Sequence, residues 1–236
     1  MRGWFWRPSY KAVIQPHQIL EYSKIMCVSY KWEGENKVHH LKWDRNKNDK
    51  TLVEKFAKIL ESADECIAHN IDKFDDKVFR TRCIFHGVPL HYKFQTFDTL
   101  KKARTFFSFP SNKLDELGKF LGVGRKIENE SGLWQKVIED NDRKALDRMV
   151  AYCDQDVILL EDVYLKLRPY VSNNHHLAAL DGGEKSDCPT CGDYNVYLHR
   201  DKVTKSGTIR RVMKCNGCKC SFEVSNRVFL DSLKIK

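Results

Sequence analysis

Residues 66–89 read CIAHNIDKFDDKVFRTRCIFHGVP, and the change of pattern inside this stretch decides the fold. Its opening, CIAHN, is a short apolar run of strand length. From Phe74 to His86 the pattern turns amphipathic, and Gly87 and Pro89 stop it as a helix would be stopped. Upstream, IMCVSY (25–30) and KVHHLKW (37–43) flank the polar turn WEGEN with Gly34, the signature of a β-hairpin. Between hairpin and strand, Leu52, Phe56, Ile59 and Leu60 recur at helical spacing over 49–63, with Thr51 and Glu54 suited to a capping box. Downstream, KFQTFDTL (93–100) reads as another strand, with Asp98 or Thr99 placed to cap a helix through Arg104. Shorter helices are expected over 111–121 and 133–140, and one long helix over 142–167, ended by Pro169. A hairpin followed by alternating helices and strands predicts an α/β domain with a mixed sheet, residues 1–172.

The 236 residues are 42% apolar and 31% charged, an ordinary globular composition that excludes wholesale disorder and fibrous repeats. No apolar run approaches the ~20 residues that span a bilayer. Arg7 and Pro8 interrupt the start before a signal-peptide core can form, so a soluble, cytoplasmic protein is expected, with no membrane partner. The net charge of +9 is compatible with a polyanionic partner and names none. Nine cysteines, an odd number, place five in the last 50 residues, which suggests metal more than disulfides.

After a linker at 173–186, rich in Asn, Gly and small residues, a second module is expected at 187–227, with 228–236 as a tail. Cys188-x-x-Cys191 and Cys215-x-x-Cys218 form two knuckles separated by 23 residues. Four thiolates suit tetrahedral Zn²⁺, and so short a segment needs metal to fold. The alternatives are an unligated cluster or a redox pair. NVYLHR and TIRRVMKC would pair around Ser206-Gly207, CSFEV would add a third strand, and Cys220 is the spare. Arg200, Lys202, Lys205, Arg210, Arg211 and Lys214 are interleaved with Tyr194, Tyr197 and Phe222. That mixture suits phosphate contact with base stacking, against the plainer reading of a solvated basic hairpin over core aromatics.

Two patterns in the first domain bear on chemistry. In AHNIDKFDDK (68–77), a strand end delivers Asn70 and a helix opens near Phe74 and Asp75. In the long helix, Tyr152-x-x-x-Asp156 puts a hydroxyl and a carboxylate on one face. Phosphodiester hydrolysis with two Mg²⁺ or Mn²⁺ ions needs several carboxylates converging from separate elements, and Asp75 and Asp156 are candidates. Taken singly, Asp75 also reads as a helix cap and Tyr152 with Asp156 as an ordinary helical pair.

In order and spacing, Asn70-x-x-x-Phe74-Asp75 and Tyr152-x-x-x-Asp156 resemble the second and third motifs of the ribonuclease-H-like, proofreading-type 3′-5′ exonucleases (DnaQ-like, DEDDy class). QTFDTLKKAR (95–104) and SNKLDELGKFLGVGRK (111–126) look like phage-encoded members of that family. The resemblance spans roughly residues 4–170. It implies a mixed sheet flanked by helices, with Asp75 and Asp156 as metal-coordinating catalytic carboxylates and Tyr152 orienting the attacking water. Asn70 and Phe74 would shape the strand-end site. DNA would be the substrate ahead of RNA, in replication or repair, in the cytoplasm of a bacterial host.

The family's first motif, Asp-x-Glu on its opening strand, occurs nowhere in the chain. Glu33-x-Glu35 lies in the hairpin turn, and GWFWRPSY (3–10) resembles the segment just after that motif in relatives. The first strand and two of four metal carboxylates are therefore expected to be missing. A split gene or miscalled start, an upstream polypeptide supplying the strand in trans, and a non-catalytic remnant are the competing explanations. Hydrolysis by this polypeptide alone is expected to be weak or nil, and the competing class is a nucleic-acid-binding or polymerase-docking module. His39, His40, His175 and His176 read as surface residues, and Cys27, Cys66, Cys83 and Cys153 as buried thiols. Trp4, Phe5 and Trp6 would pack on the sheet or line a strand groove.

Overall fold

The computed structural model describes residues 2–3, 19–90, 95–127, 130, 132–171 and 175–235, so Trp4, Phe5 and Trp6 lie outside the described residues. In chain order come β1 (Arg2–Gly3), β2 (Ile19–Glu21), β3 (Cys27–Tyr30), β4 (His39–Lys42), α1 (Lys50–Glu61), β5 (Glu65–Ala68) and α2 (Asp75–His86). Next are β6 (Gln95–Asp98), α3 (Thr99–Phe106), α4 (Leu114–Leu121), α5 (Leu133–Ile138) and α6 (Arg143–Leu167). A 3-10 turn at Arg168–Tyr170 leads to α7 (Leu177–Leu180), β7 (Val196–Val203), β8 (Ile209–Cys215), β9 (Ser221–Ser225) and α8 (Asn226–Ile235). No helix among the described residues is long and apolar enough to cross a membrane.

Both pairing senses of the expected mixed sheet are present, but as separate pairs among the described residues. β3 and β4 run antiparallel, with Cys27 opposite Lys42 and Tyr30 opposite His39. β5 and β6 run parallel, with Ala68 opposite Asp98. Strands of four residues in two-stranded pairs carry little stability of their own, so each pair depends on side chains packed against it. The chain divides into two compact units: Met1–Ala63 with Asp72–Lys93 and Lys126–Ile158, and Asp64–Ile71 with Phe94–Arg125 and Leu159–Lys236.

In the first unit, Trp43, Leu133, Val137, Ala145, Leu146 and Met149 form a core, with Met26, Cys27 and Tyr152 packed against it. The hairpin is tied to α6 by Lys42 Nζ to Asp147 at 2.7 Å, His40 to Asp154 at 3.4 Å, and Cys27 Sγ to Cys153 Sγ at 3.7 Å. The anticipated Thr51/Glu54 capping box does not form, because the N-cap is Asp49, two residues before Thr51, and α1 starts at Lys50. Asp49 makes no side-chain cap bond either. Its carboxylate, fully buried, accepts from Arg82 Nε at 2.7 Å and Nη2 at 2.6 Å, lies 2.7 Å from His86 Nε2, and accepts from the Ile25 backbone N–H at 2.9 Å. One carboxylate thus joins the entry to β3, the start of α1 and the inner face of α2.

In the second unit, Phe97, Tyr164 and Val171 form one cluster, and Ala103, Leu114, Leu117, Leu159, Val163 and Leu167 another. Gly118 lets α4 approach α6, since a Cβ there would meet Leu159 Cδ1 at 2.6 Å and the Gly124 carbonyl at 2.8 Å. The stretch read as a linker is partly structured. His176 accepts from Ala179 N–H to cap α7, and the Leu177 N–H donates to Pro189 O at 3.0 Å. The buried Arg168 donates to the Thr190 carbonyl, inside the first knuckle, and His175 faces Glu65 at 3.6 Å. Residues read as a tail continue α8, which begins directly after β9.

Burial pushes the Asp49 carboxyl up, but the hydrogen bonds from Arg82, Ile25 and His86 outweigh it and bring the group from 3.8 down to about 2. A depressed carboxylate stabilises the fold above pH 3.8, by roughly 2 to 3 kcal/mol, and that contribution disappears as pH falls through about 2. Asp49→Asn, which leaves Arg82 buried without its counter-charge, is expected to cost about 3 to 5 kcal/mol in denaturant unfolding at pH 7. The gap between wild type and variant should narrow on acidification from pH 4 to 2; a gap that stays constant would show that the carboxylate charge is not what holds these elements.

Candidate nucleic-acid site and zinc ribbon

At the end of β5 the chain must turn sharply, and Asn70 does so with φ of 72°, a left-handed conformation that asparagine tolerates better than most residues. Its backbone N–H donates to Asp98 Oδ1 at 2.9 Å. The same oxygen accepts from the Leu100 and Lys101 N–H groups at 3.0 and 3.2 Å, so Asp98, rather than Thr99, caps α3. Thr99 instead bridges the neighbouring strand end, donating to the Ala68 carbonyl and meeting His69 Nδ1 at 2.9 Å. Asp98 therefore fixes the Asn70 turn and α3 together.

In the first unit, Phe74 occupies the N-cap position of α2 without a side-chain bond and is 61% exposed. Asp75 and Asp76 fill the first turn, where negative charge suits the helix dipole, so Asp75 is a first-turn residue and not the cap. Asp76 is engaged with Arg80 at 2.8 Å. On α6, Tyr152 leans on the first-unit core, and Asp156, one turn on, is half exposed. Asp156 Oδ2 lies 2.5 Å from the Lys126 ammonium.

That ammonium bears on the divalent cations expected here. Among the described residues, the four knuckle cysteines are the one group of three or more His, Cys, Asp or Glu that converges as metal ligands do. Asp156 is ion-paired with Lys126. Neither Lys126 nor Asp98 stood out as a site residue in the sequence; Lys126 meets its partner 30 positions away, with no local signal.

The cysteine module has the opposite character. The ligand atoms of Cys188, Cys191, Cys215 and Cys218 lie within 4.8 Å of one another, with Cys188 to Cys218 at 3.6 Å and Cys191 to Cys215 at 3.5 Å. Such separations suit a tetrahedral ion with Zn–S bonds of about 2.3 Å. The Thr190 N–H points at Cys188 Sγ at 3.4 Å, turning a backbone dipole toward the sulfur. Behind each second cysteine the backbone is left-handed, at Gly192 (φ 77°) and Lys219 (φ 64°), which explains why both knuckles turn back so tightly. Without an ion these thiols resist ionisation. The hydrogen bond shared with Cys220, together with burial, pushes Cys188 up to about 12, and burial pushes Cys191 up to about 11 and raises Cys215 and Cys218. A bound Zn²⁺ would supply the charge that makes four neighbouring thiolates favourable, and its role here would be structural. Cys220 is buried, 3.4 Å from Cys188 Sγ.

The ribbon's cations differ in freedom. Lys202 is paired with Glu223 at 2.6 Å. Arg211 bonds Asp201 at 2.5 Å and Asn226 at 2.9 Å, with its guanidinium over the Phe229 ring. Arg200, Lys205, Arg210 and Lys214 have no direct ion pair among the described residues. The purified chain is expected to carry one zinc per polypeptide by elemental analysis, and Cys215→Ser to lose it along with amide-exchange protection across the ribbon strands. Full retention of protection in the metal-free variant would contradict a metal-dependent fold.

The RNase H superfamily model matches residues 20–168, a span that contains the hairpin, the β5–α2 turn and the whole of α6. Among curated proteins none matches. A match over more than half the chain, on an α/β arrangement with these carboxylates at an element start and on a long helix, places the protein by descent: it belongs to the RNase H superfamily.

Proposed function

We propose that the chain is a nucleic-acid-processing protein of the 3′-5′ exonuclease lineage, of the DnaQ-like type and phage-like kind, with its ribbon holding the strand. The observation that carries this reading is the coincidence of the family match with both motifs. Asn70-x-x-x-Phe74-Asp75 and Tyr152-x-x-x-Asp156 fall inside residues 20–168. Phe74 stands exposed beside Asp75, as a residue meant to meet a base would, and Tyr152 and Asp156 share one face of α6. The net charge of +9 is compatible with a polyanion, and DNA is the proposed substrate ahead of RNA.

A second reading, that of a binding or polymerase-docking module with little turnover, is favoured by a specific contact. Lys126 occupies the one direction from which Asp156 is shown to meet a cation, and no Asp-x-Glu occurs in the sequence. The two readings share strand binding and differ in catalysis. Cations of the exonuclease type would stabilise the attacking and departing oxygens of the phosphodiester, and the carboxylates that the resemblance offers for them in this sequence are Asp75 and Asp156.

The test is an end-labelled single-stranded oligonucleotide incubated with the 236-residue chain in Mg²⁺ or Mn²⁺, with binding and shortening followed in parallel. Binding with little or no loss from the 3′ end is expected. Efficient shortening that Asp156→Ala abolishes would overturn the expectation of weak hydrolysis, and absence of binding would overturn the nucleic-acid reading altogether.

A further inference from the structure

The ribbon sheet has an irregularity that sorts its side chains. β7, β8 and β9 are antiparallel, and Tyr197 pairs with Lys214 and Leu198 with Met213. Between Leu198 and Arg200 the register slips by one residue, so that Arg200 pairs with Val212, Asp201 with Arg211 and Lys202 with Arg210. His199 is the extra residue of a β-bulge. Directly opposed residues share a face, and alternate residues of a strand do too, so the bulge brings Tyr197 and Arg200 onto one face although they are three apart.

That face carries Tyr197, Arg200 and Lys202 from β7 and Arg210 and Lys214 from β8, with Glu223 opposite Val212 as its acid. The other face carries Leu198, Met213, Phe222, Val224 and Cys215, and there Arg211 reaches Phe229 of α8. One side of the sheet is thus committed to the cysteine cluster and α8, and the other is a basic surface with an aromatic at one end. Lys202 and Arg210 face each other directly, an arrangement that weakens a sheet unless an anion lies over it. Glu223 answers only part of this charge: it bonds Lys202, while Arg200 and Arg210 make no direct pair among the described residues.

Resting on the strand-binding reading above, and deepening it, we infer that this bulged face is a binding platform for a single-stranded polynucleotide. Phosphates would run over Arg200, Arg210 and Lys214, and one unpaired base would stack on Tyr197. Charge complementarity selects a polyanion. Tyr197, 45% exposed on the same face as the cations, selects an unpaired strand, because a base within a duplex has no free ring face to offer. Tyr194, still more exposed just before β7, stands ready for a neighbouring base. Arg211 is not part of the platform, its guanidinium being engaged on the opposite face.

The test is fluorescence anisotropy of the zinc-loaded full chain with labelled oligothymidylate, oligouridylate and a duplex of equal length. Tyr197→Ala should weaken binding to the single strands about 5- to 100-fold while Tyr197→Phe keeps it. Arg200→Gln with Arg210→Gln should lower the slope of log affinity against log salt by about 1.4. Lys234→Gln, on α8, should change little. Zinc content and amide exchange in each variant verify the fold. Wild-type binding without loss in Tyr197→Ala or in the double variant, or a preference for duplex, would overturn the platform alone. Failure of wild-type chain to bind any strand would overturn the parent reading with it. Comparable loss with oligothymidylate and oligouridylate indicates recognition of the shared backbone, and loss with only one identifies which polynucleotide the face takes.

Discussion

A carboxylate sealed from water is the constraint on which the first unit depends. Asp49 is costly to bury, and that cost is offset only because a guanidinium, an imidazole and a backbone N–H all converge on its two oxygens. Removing the carboxylate or the guanidinium leaves the other charge buried without its partner, so the elements they join are bound as a set: the approach to β3, the N-cap of α1, and successive turns of α2. The hairpin is then positioned against α6 by contacts that are weaker individually, of which Lys42 to Asp147 is exposed and Cys27 to Cys153 is packed beside Tyr152. Tyr152 is held because its neighbours are held.

The second unit solves a different problem. Its ribbon gathers four thiols close enough to hold one ion, and in so short a segment a bound ion would stand in for a larger core. Anchoring falls to Arg168, which reaches into the first knuckle, and to the α7 backbone. With one side of the sheet given over to these tasks, the opposite side is free to carry charge. The slip at His199 then determines which residues appear there. Fold and recognition are separated by face, and a single extra residue does the sorting.

Much of this was legible in the sequence. The hairpin around Gly34, the strand at CIAHN, the α2 stop at Gly87 and the two cysteine knuckles all rest on local patterns, and local patterns survive into structure. What escaped was non-local. Thr51 and Glu54 looked like a capping box because the box is defined by spacing alone, whereas Asp49 is decided by Arg82, 33 positions away. Residues 228–236 looked like a tail because a ten-residue helix with few caps gives a faint signal; packing of Phe229 beneath Arg211 provides what the sequence lacked. The basic residues of the ribbon were visible as a group, but their division between two faces was not, since it depends on a bulge that no residue type announces. For the carboxylates, residue identity was legible and environment was not: Lys126 beside Asp156 is a tertiary contact.

The proposal that carries most of the account is that, in this RNase H superfamily chain, the bulged face of the ribbon binds a single strand. Photocrosslinking of a 4-thiothymidine oligonucleotide to the zinc-loaded protein, followed by identification of the modified peptides, addresses it most directly. Crosslinks at Tyr197 and its neighbours on the bulged face are the result the account predicts. Crosslinks confined to α8 and the opposite face of the ribbon, or none at all under conditions where the protein is folded and metal-loaded, would contradict it.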